Sequence, residues 1–364
     1  MKVSVLVCLL HTAFPSVAAA FVPRTTGVSL QFLGAIGKKT PTPIRETNAE
    51  YPIQESDTST VSAEPVPSAE PPSEVKTKIF SELLLKNEVQ VAASVFFGTV
   101  STFALNNCVS LGPIKASSLV GMLSALILPE KMALASLCGS FSGMARQTVI
   151  PGVYASVALG ALCAAMMALF DKKKWLVGVG GRLGFIAQLA CTSQFLVSSL
   201  FMPTPGASFV GAYPPVRRLL AQVLPTCFFT VAGTLLMSAW KEIFSGQSKK
   251  TRFPTSVACI SKRLSTPVAA VSATGLGMSL FPVSVAGPAF CGSFIAMSSP
   301  LKLETYGGLV GASLVGGLCQ ILLAGVLLGG WGGKLGTASL MGVLLYKKVL
   351  ETTRANLPTL VKAE

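Results

Sequence analysis

Apolar and polar stretches alternate along most of the chain, in a pattern typical of helices that cross a membrane. Apolar runs recur from Val89 to Leu350, and charged residues collect in the short stretches between them. The pattern predicts ten segments, at residues 89–106, 114–128, 132–147, 149–170, 183–201, 219–239, 266–282, 284–299, 304–330 and 335–350. Several are shorter than the roughly 20 residues that a span needs, which predicts bent hairpins or re-entrant pieces.

Recurring glycine and proline landmarks predict two related halves. The pairs, in chain order, are Gly98 with Gly275, Gly112-Pro113 with Gly287-Pro288, Gly121-Pro129-Lys131 with Gly292-Pro300-Lys302, Gly139 with Gly311, and residues 180–184 with 332–336. We therefore expect a first membrane repeat at 89–240, a basic connecting loop at 241–265 and a second repeat at 266–350. The landmark spacing gives the first half about one extra helix. Counting positive charges in loops favours parallel repeats, but it places the Arg182 and Lys334 loops on opposite sides.

Both ends of this region are polar. Residues 46–75 contain seven acids and five prolines, a mixture that cannot bury a core. We expect 46–88 to be a disordered acidic, proline-rich tail that ends in an interfacial helix at 76–88. Residues 351–364 are expected to form a polar tail.

Composition agrees with a membrane protein. The chain is 51% hydrophobic and only 12% charged, whereas soluble domains carry about 25% charged residues. The predicted fold class is all-α: a polytopic membrane protein of about ten helical segments, with two related repeats. Between residues 89 and 350 there are four acids and nineteen lysines and arginines. Because the cations lie in loops without accompanying aromatics, we expect them to meet membrane lipid rather than nucleic acid.

The N-terminus has the features of a targeting segment. Residues 1–20 combine Lys2, a short apolar run and the small triplet Ala18-Ala19-Ala20, which predicts a signal peptide. Residues 21–45 begin Phe21-Val22-Pro23 and are basic and free of acids, as transit peptides are. This order resembles the bipartite plastid-targeting presequence of algae with complex red plastids, such as diatoms. The resemblance implies a plastid membrane, envelope or thylakoid; a secreted or plasma-membrane protein with a basic mature end is the alternative.

Several chemistries are disfavoured by what the sequence lacks. The one histidine, His11, lies in the predicted signal peptide, so histidine-based metal sites and catalytic triads are not expected. The sequence has no paired carboxylates and no CxxC motif that would suggest a metal or a cofactor. We therefore expect neither a cofactor nor enzymatic activity. The four acids, Glu130, Asp171, Glu242 and Glu304, lie at predicted segment ends. A proton-coupled carrier usually keeps an acid inside the membrane, so proton coupling is not indicated.

Two glycine-rich turns are the candidate site. Each has the form Gly-Gly-cation-Leu-Gly before an apolar helix, and the site residues are Gly180, Gly181, Arg182, Gly332, Gly333 and Lys334. Backbone N–H groups and a cation at a helix N-terminus favour an anion. Alternatively, these glycines let helices approach closely while the cations reach lipid headgroups. Among glutamines at apparent membrane depth, Gln188 and Gln194 are ranked first as substrate contacts, ahead of Gln222 and Gln320, because they follow Arg182 on one segment.

These features lead to two functional hypotheses. The first is a plastid membrane transporter or channel for a small anionic or neutral solute, which the repeats, interrupted helices and cationic turns favour. The second is a non-catalytic scaffold or assembly factor of plastid membrane complexes, which the many small residues suited to helix packing favour. The expected partners are membrane lipid and a small solute, with a homo-oligomer or a plastid membrane complex as the assembly.

Overall fold

All regular structure in the described part of the chain is helical. A computed structural model describes residues 73–201, 216–250, 255–326 and 331–361. The helices are α1 Ser73–Asn107, α2 Pro113–Ile127, α3 Glu130–Gly143, α4 Gly152–Lys172, α5 Arg182–Phe201, α6 Val216–Lys250, α7 Thr255–Leu264, α8 Pro267–Met278, α9 Val283–Ile295, α10 Tyr306–Val326 and α11 Lys334–Val361. The expected signal peptide (1–20), transit-like segment (21–45) and most of the acidic tail lie outside the described residues.

The ten segments predicted from the apolar pattern each coincide with one helix. The eleventh helix, α7, lies in the expected loop at 241–265, and α6 also extends into that loop as far as Lys250. The loop prediction was therefore wrong for most of its length. The strong amphipathic pattern of α7 explains the error, because its many polar residues resemble a loop until they are placed on one helical face.

Two helices are longer than the sequence pattern predicted. The helix expected separately at 76–88 is the first part of α1, which continues without a break to Asn107. Likewise, α11 runs through the expected polar tail to Val361. Backbone hydrogen bonds of a helix do not depend on whether the side chains are apolar, so the end of an apolar run need not end the helix.

Four helices in the described part of the chain are long and apolar enough to cross a membrane, judged by length and composition. These spans are Asn87–Asn107, Gly152–Lys172, Leu219–Phe244 and Tyr306–Ala324, on α1, α4, α6 and α10. Three further apolar helices, α2, α8 and α9, have 10–17 residues. The bundle thus combines long apolar helices with short ones, as the interrupted pattern predicted.

Prolines fix where the short helices begin. Pro113 and Pro267 occupy the first turns of α2 and α8. Pro129 and Pro282 cap α3 and α9 in almost the same backbone conformation, with φ −57° and −55° and ψ 151° in both. Proline is tolerated there because the first helical N–H groups have no partner in the helix. Each half of the bundle therefore contains a short helix pair with proline at both starts.

Several sequence landmarks do not occupy matching places. Gly112-Pro113 lies at the start of α2, whereas Gly287-Pro288 lies inside α9. The place of Pro129 is taken by Pro282, not by Pro300. These pairings were wrong because glycine and proline are frequent in apolar helices. Two such residues can therefore share a sequence spacing without occupying equivalent positions in the fold. The pair 180–184 and 332–336 does match, since α5 and α11 begin at Arg182 and Lys334.

The helices repeat the same neighbour pattern in two groups. In the first group α3 packs against α2, α4 and α5, and in the second α9 packs against α8, α10 and α11. Helix α6 packs against α9 and α10, as α1 packs against α3 through Gly98 and Gly139. Because α6 packs against helices of the second group, the boundary expected at residue 240 lies one helix too late. The extra helix expected in the first half is accounted for by α6.

Glycines bring the long and short helices of each group into backbone contact. A side chain on Gly139 would overlap the carbonyl oxygen of Val95, and one on Gly292 would overlap that of Thr230. Gly98 meets Ser136 of α3 and Gly233 meets Ala289 of α9 in the same way. Gly139 therefore corresponds to Gly292 in its packing and not to Gly311, as the sequence spacing suggested.

The two groups meet through reciprocal contacts between α2 and α8. Gly121 lies against the Ser272 side chain, and Gly275 lies against the Ser118 side chain. Going forward along α2 from 118 to 121, the partner position on α8 goes backward from 275 to 272. The two helices therefore run in opposite directions where they touch. This contact also pairs Gly275 with Gly121, so the expected pairing of Gly275 with Gly98 was wrong.

A buried hydroxyl between α6, α9 and α10 gives a stability prediction. The Thr234 hydroxyl lies 2.9 Å from the Gly292 carbonyl oxygen and 2.7 Å from the Ser313 hydroxyl, and Thr234 is fully buried. Thr234→Val is expected to lower the free energy of unfolding by about 1 kcal/mol, since both contacts between helices are lost. Denaturant unfolding of the purified protein measures this.

The matched control is Thr352→Val. The exposed Thr352 hydroxyl bonds the Lys348 carbonyl of its own helix, at 2.9 Å. Its loss should change stability by less than about 0.5 kcal/mol. Equal effects of the two substitutions would contradict a stabilising role for the buried contact.

Candidate functional site

The first turns of α5 and α11 cross at the centre of the bundle. A Cβ atom on Gly336 would lie 2.5 Å from the Cα of Gly184, and one on Gly184 would lie 2.6 Å from the Cα of Gly336. Only glycine leaves room for two backbones at this distance. The first turn of each helix therefore packs directly against the first turn of the other.

The glycines that precede these helices close the crossing from both sides. Gly181 and Gly333 have φ values of +82° and +81°, which favour glycine. A Cβ on Gly181 would lie 2.6 Å from the Leu340 nitrogen, and one on Gly333 would lie 2.6 Å from the Gln188 nitrogen. As the contacts advance along α5 they go backward along α11, so these two helices also run in opposite directions.

The remaining glycine pair docks onto the ends of α9 and α3. The Gly180 N–H donates to the Ser298 hydroxyl at 3.0 Å. A Cβ on Gly332 would lie 2.6 Å from the Ser142 carbonyl oxygen. These contacts agree with the close-packing interpretation of the glycine-rich turns. They also show that the Gly180 N–H is engaged within the protein.

The cation of the first turn is held in an ion pair. Arg182 donates from Nη2 to Asp171 Oδ1 at 2.5 Å, with 15% of the Arg182 side chain and 38% of the Asp171 side chain exposed. Phe170 lies beside this pair in sequence and packs edge-on against Trp175 and Phe185, with ring centroids 5.3 and 6.2 Å apart. Aromatic packing and the ion pair close this side of the crossing.

The backbone adds to this closure. Ser299, just after α9, donates its N–H to the Gly178 carbonyl at 2.9 Å. Val179 packs against the buried cluster formed by Ile295, Leu303, Ala312 and Val343. The stretch before α5 is therefore fixed to the second group of helices by hydrogen bonds and by apolar contact.

The cation of the second turn has a different environment, because Lys334 lines a cavity of about 270 Å³. The cavity lies between the two groups of helices, with walls from α2, α3, α9, α10 and α11. Its lining residues are Pro113, Ile114, Phe141, Met144, Arg146, Val283, Gly287, Phe294, Gln320, Ala324, Trp331, Gly333, Lys334, Leu335 and Gly336. We call it the central cavity.

The polar lining of the central cavity carries positive charge. Lys334 is half-buried and Arg146 is exposed, and no carboxylate occurs among the described lining residues. Gln320 adds an amide, whose Oε1 is buried without a hydrogen-bond partner in the described part of the structure. A buried amide oxygen of this kind costs free energy unless a water or ligand donor reaches it. The described lining of the cavity therefore combines two cations with an amide.

Aromatic rings form the apolar part of the central cavity. Phe141 of α3 and Phe294 of α9 have centroids 4.8 Å apart, and each holds the same place in its own group of helices. Trp331 is 5% exposed and lies edge-on to Phe195 at 5.0 Å. The rings are held by packing, so the cavity wall is rigid on this side.

The structure brings only two of the eight predicted site residues to the central cavity, Gly333 and Lys334. Gln188 is fully buried in α5 and its Nε2 donates to Thr192 at 3.2 Å, while half-buried Gln194 lies further along the helix. Neither glutamine lines the cavity. Gln320, which was ranked below them, does.

Arg146 and Trp331 also line the cavity and were not among the sequence candidates. Trp331 directly precedes Gly332, so its position beside a candidate turn could have identified it as a site residue. Arg146 follows α3 at a position that sequence proximity does not connect to Lys334. Only the packing of the two groups brings it there.

A larger groove on the bundle has a different character. It has a volume of about 710 Å³ and lies between α1 and α2, with apolar walls that include Phe97, Leu105, Leu123 and Ile127. Phe97 and Leu123 are exposed, as side chains that face lipid are in a membrane protein. The groove has no charged lining residue among those described, so it is a poorer candidate for a solute site than the central cavity.

The central cavity offers charge, an amide and aromatic walls. These are the groups with which proteins usually fix a small ligand: a mostly apolar wall and a few well-placed polar atoms. No protein-family model, no curated protein and no solved structure matches this chain, so its own side chains are the basis for a functional assignment.

Proposed function

We propose that this chain is a multi-pass membrane transporter or channel for a small anionic or neutral solute, and favour a carrier built from two inverted repeats. The observation that carries the proposal is the central cavity, which lies between two groups of helices and whose described charged lining residues are all cations. The membrane assignment is supported by the four long apolar helices, two in each group. Solute sites of secondary transporters commonly lie between repeats, near short or interrupted helices.

The contacts support inverted rather than parallel repeats. Helices α2 and α8 hold matching places in their groups and run antiparallel where they touch, and so do α5 and α11. A rotation that exchanges antiparallel helices has its axis perpendicular to them. In a bundle of membrane helices, that axis lies in the membrane plane. The parallel arrangement favoured by loop charges is therefore replaced in this proposal.

The two halves of the crossing differ in a way that suits alternating access. Around Arg182, the Asp171 ion pair and the Ser298 and Ser299 hydrogen bonds close the structure. Around Lys334, the corresponding space is the central cavity. Exchange of the two arrangements would open the Arg182 side while closing the Lys334 side, which is how inverted repeats move a solute.

Flux into liposomes tests the proposal. The purified protein should carry a small anion or neutral metabolite across the bilayer, and Lys334→Gln with Arg146→Gln should reduce anion flux at least about tenfold, because the positive lining is lost. The exposed Lys131, at the start of α3 and away from the cavity, provides the control substitution Lys131→Gln. Unchanged anion flux in the double variant would contradict the proposal that the solute passes through the central cavity.

The same preparation discriminates the scaffold hypothesis. Absence of flux for every solute tried, together with stable co-migration with a large complex on blue-native gels, would favour an assembly factor. The small-residue contacts of Gly98, Gly139, Gly233 and Gly292 are compatible with either function, because they stabilise the helix packing itself.

The plastid location is a proposal that rests on residues 1–45, which lie outside the described residues. A fluorescent protein fused after residue 45 should accumulate in the plastid of an alga with complex red plastids. Fluorescence at the cell surface or in the medium would contradict it.

A further inference from the structure

We propose that the central cavity binds a small organic monoanion that combines one carboxylate with an apolar body. This inference rests on the proposed function only in naming the cargo of that site; binding is measured separately from flux. The volume of about 270 Å³ is close to the lower end of the roughly 300–1,000 Å³ range of ligand pockets, which points to a small molecule.

The sign of the charge follows from the lining. Lys334 and Arg146 belong to different elements and converge on one cavity, and no described lining residue is acidic. A cation would meet two like charges in this lining, whereas an anion gains charge-assisted hydrogen bonds. The half-buried position of Lys334 places it in a medium of lower dielectric than water, where this attraction is stronger.

Gln320 supplies a neutral hydrogen-bonding group beside the cations. Its Nε2 is the atom that a Cβ on Gly287 would approach most closely, at 3.6 Å, so the absence of a side chain at 287 leaves space in front of the amide. The amide N–H₂ group is a donor to a carboxylate oxygen. This group therefore suits the carboxylate of a bound anion.

The rest of the wall indicates the shape of the ligand. Phe141, Phe294 and Trp331 present aromatic surface, and Ile114, Val283 and Leu335 are aliphatic. A strongly hydrated inorganic anion such as phosphate would lose its hydration against this surface with little compensation. An apolar body instead gains by leaving water, at about 25 cal/mol per Å² of buried surface.

Isothermal titration calorimetry of the full chain in lipid nanodiscs tests the inference. The probes are benzoate, benzamide and inorganic phosphate: benzamide keeps the shape of benzoate without its charge, and phosphate keeps charge without the apolar body. We expect benzoate to bind at least tenfold more tightly than either of the others. Benzamide or phosphate binding as tightly as benzoate would overturn the proposal, and so would no benzoate binding at millimolar concentration.

Variants assign the binding to the central cavity. Lys334→Gln should weaken benzoate binding at least tenfold, Lys334→Arg should keep it within about threefold, and Lys131→Gln should leave it unchanged. Arg146 is exposed, so Arg146→Gln tests the same site with little risk to folding and should weaken binding about threefold. Benzoate binding that is insensitive to both Lys334→Gln and Arg146→Gln would overturn the site.

The outcomes separate this inference from the proposed function. Benzoate binding that depends on Lys334, without flux of any solute, supports the site and contradicts the transporter. Flux with no such binding supports the transporter and overturns the site.

Discussion

Replacing Gly336 by alanine is expected to lower the free energy of unfolding by about 3 kcal/mol, with a fall of roughly 5–10 °C in Tm. The new methyl group would lie 2.5 Å from the Cα of Gly184, which is a backbone atom and cannot turn aside as a side chain does. The helices α5 and α11 would have to separate, and the glycine turns packed at Gly181 and Gly333 would separate with them. Thermal unfolding of detergent-purified protein measures the change.

The control is Gly277→Ala on α8. Gly277 is exposed, and a Cβ placed there meets no atom within 4 Å, so alanine should be neutral or stabilise the helix by up to about 1 kcal/mol. Gly184→Ala should resemble Gly336→Ala, and the double variant should cost less than the sum, since the first methyl already separates the helices. Additive costs, or a Gly336→Ala protein as stable as the wild type, would contradict the close crossing.

The apolar runs in the sequence were sufficient to locate the ten segments, because apolar side chains must face either lipid or a protein core, whichever helices they meet. The same principle could not find α7 or place α6 with the second group. Those results depend on which helices pack together, as when Trp240 of α6 donates its indole N–H to the Leu264 carbonyl at the end of α7, at 3.0 Å. Nothing in the local pattern encodes such a contact.

The candidate site illustrates the same limit. The sequence treats Arg182 and Lys334 alike, since both follow Gly-Gly and precede Leu-Gly. They differ because Asp171 stands eleven residues before Arg182, at the end of α4, and the fold brings the two together. Gly-rich turns were identifiable from sequence, but which cation faces a cavity was decided by the rest of the fold.

Removing the charge of Asp171 is expected to shift which side of the crossing is open. Asp171→Asn leaves Arg182, only 15% exposed, without its ionic partner, so the closed arrangement on that side loses stability. A loss of about 1.4 kcal/mol would change the ratio of the two arrangements tenfold. Cysteine reactivity at two matched positions reports this ratio: Met144 and Met297 each lie three residues after the paired Phe141 and Phe294.

Both methionines are half-buried, but only Met144 lines the central cavity. In a background with the exposed Cys108 replaced by alanine, a small water-soluble thiol reagent should therefore modify Met144→Cys about tenfold faster than Met297→Cys. Asp171→Asn should reduce this ratio about tenfold by slowing the first reaction and accelerating the second. Labelling of the background without an introduced cysteine is subtracted in each case.

Two further variants test whether the ion pair itself is responsible. Glu130→Gln removes an exposed acid at the start of α3 and should leave the labelling ratio unchanged. Adding Arg182→Gln to Asp171→Asn removes the unpaired buried charge and should return the ratio toward its original value. If Asp171→Asn accelerates labelling at both positions, the bundle has loosened without exchanging its open side. Only opposite changes at the two positions support alternating access, because they require one side to close as the other opens.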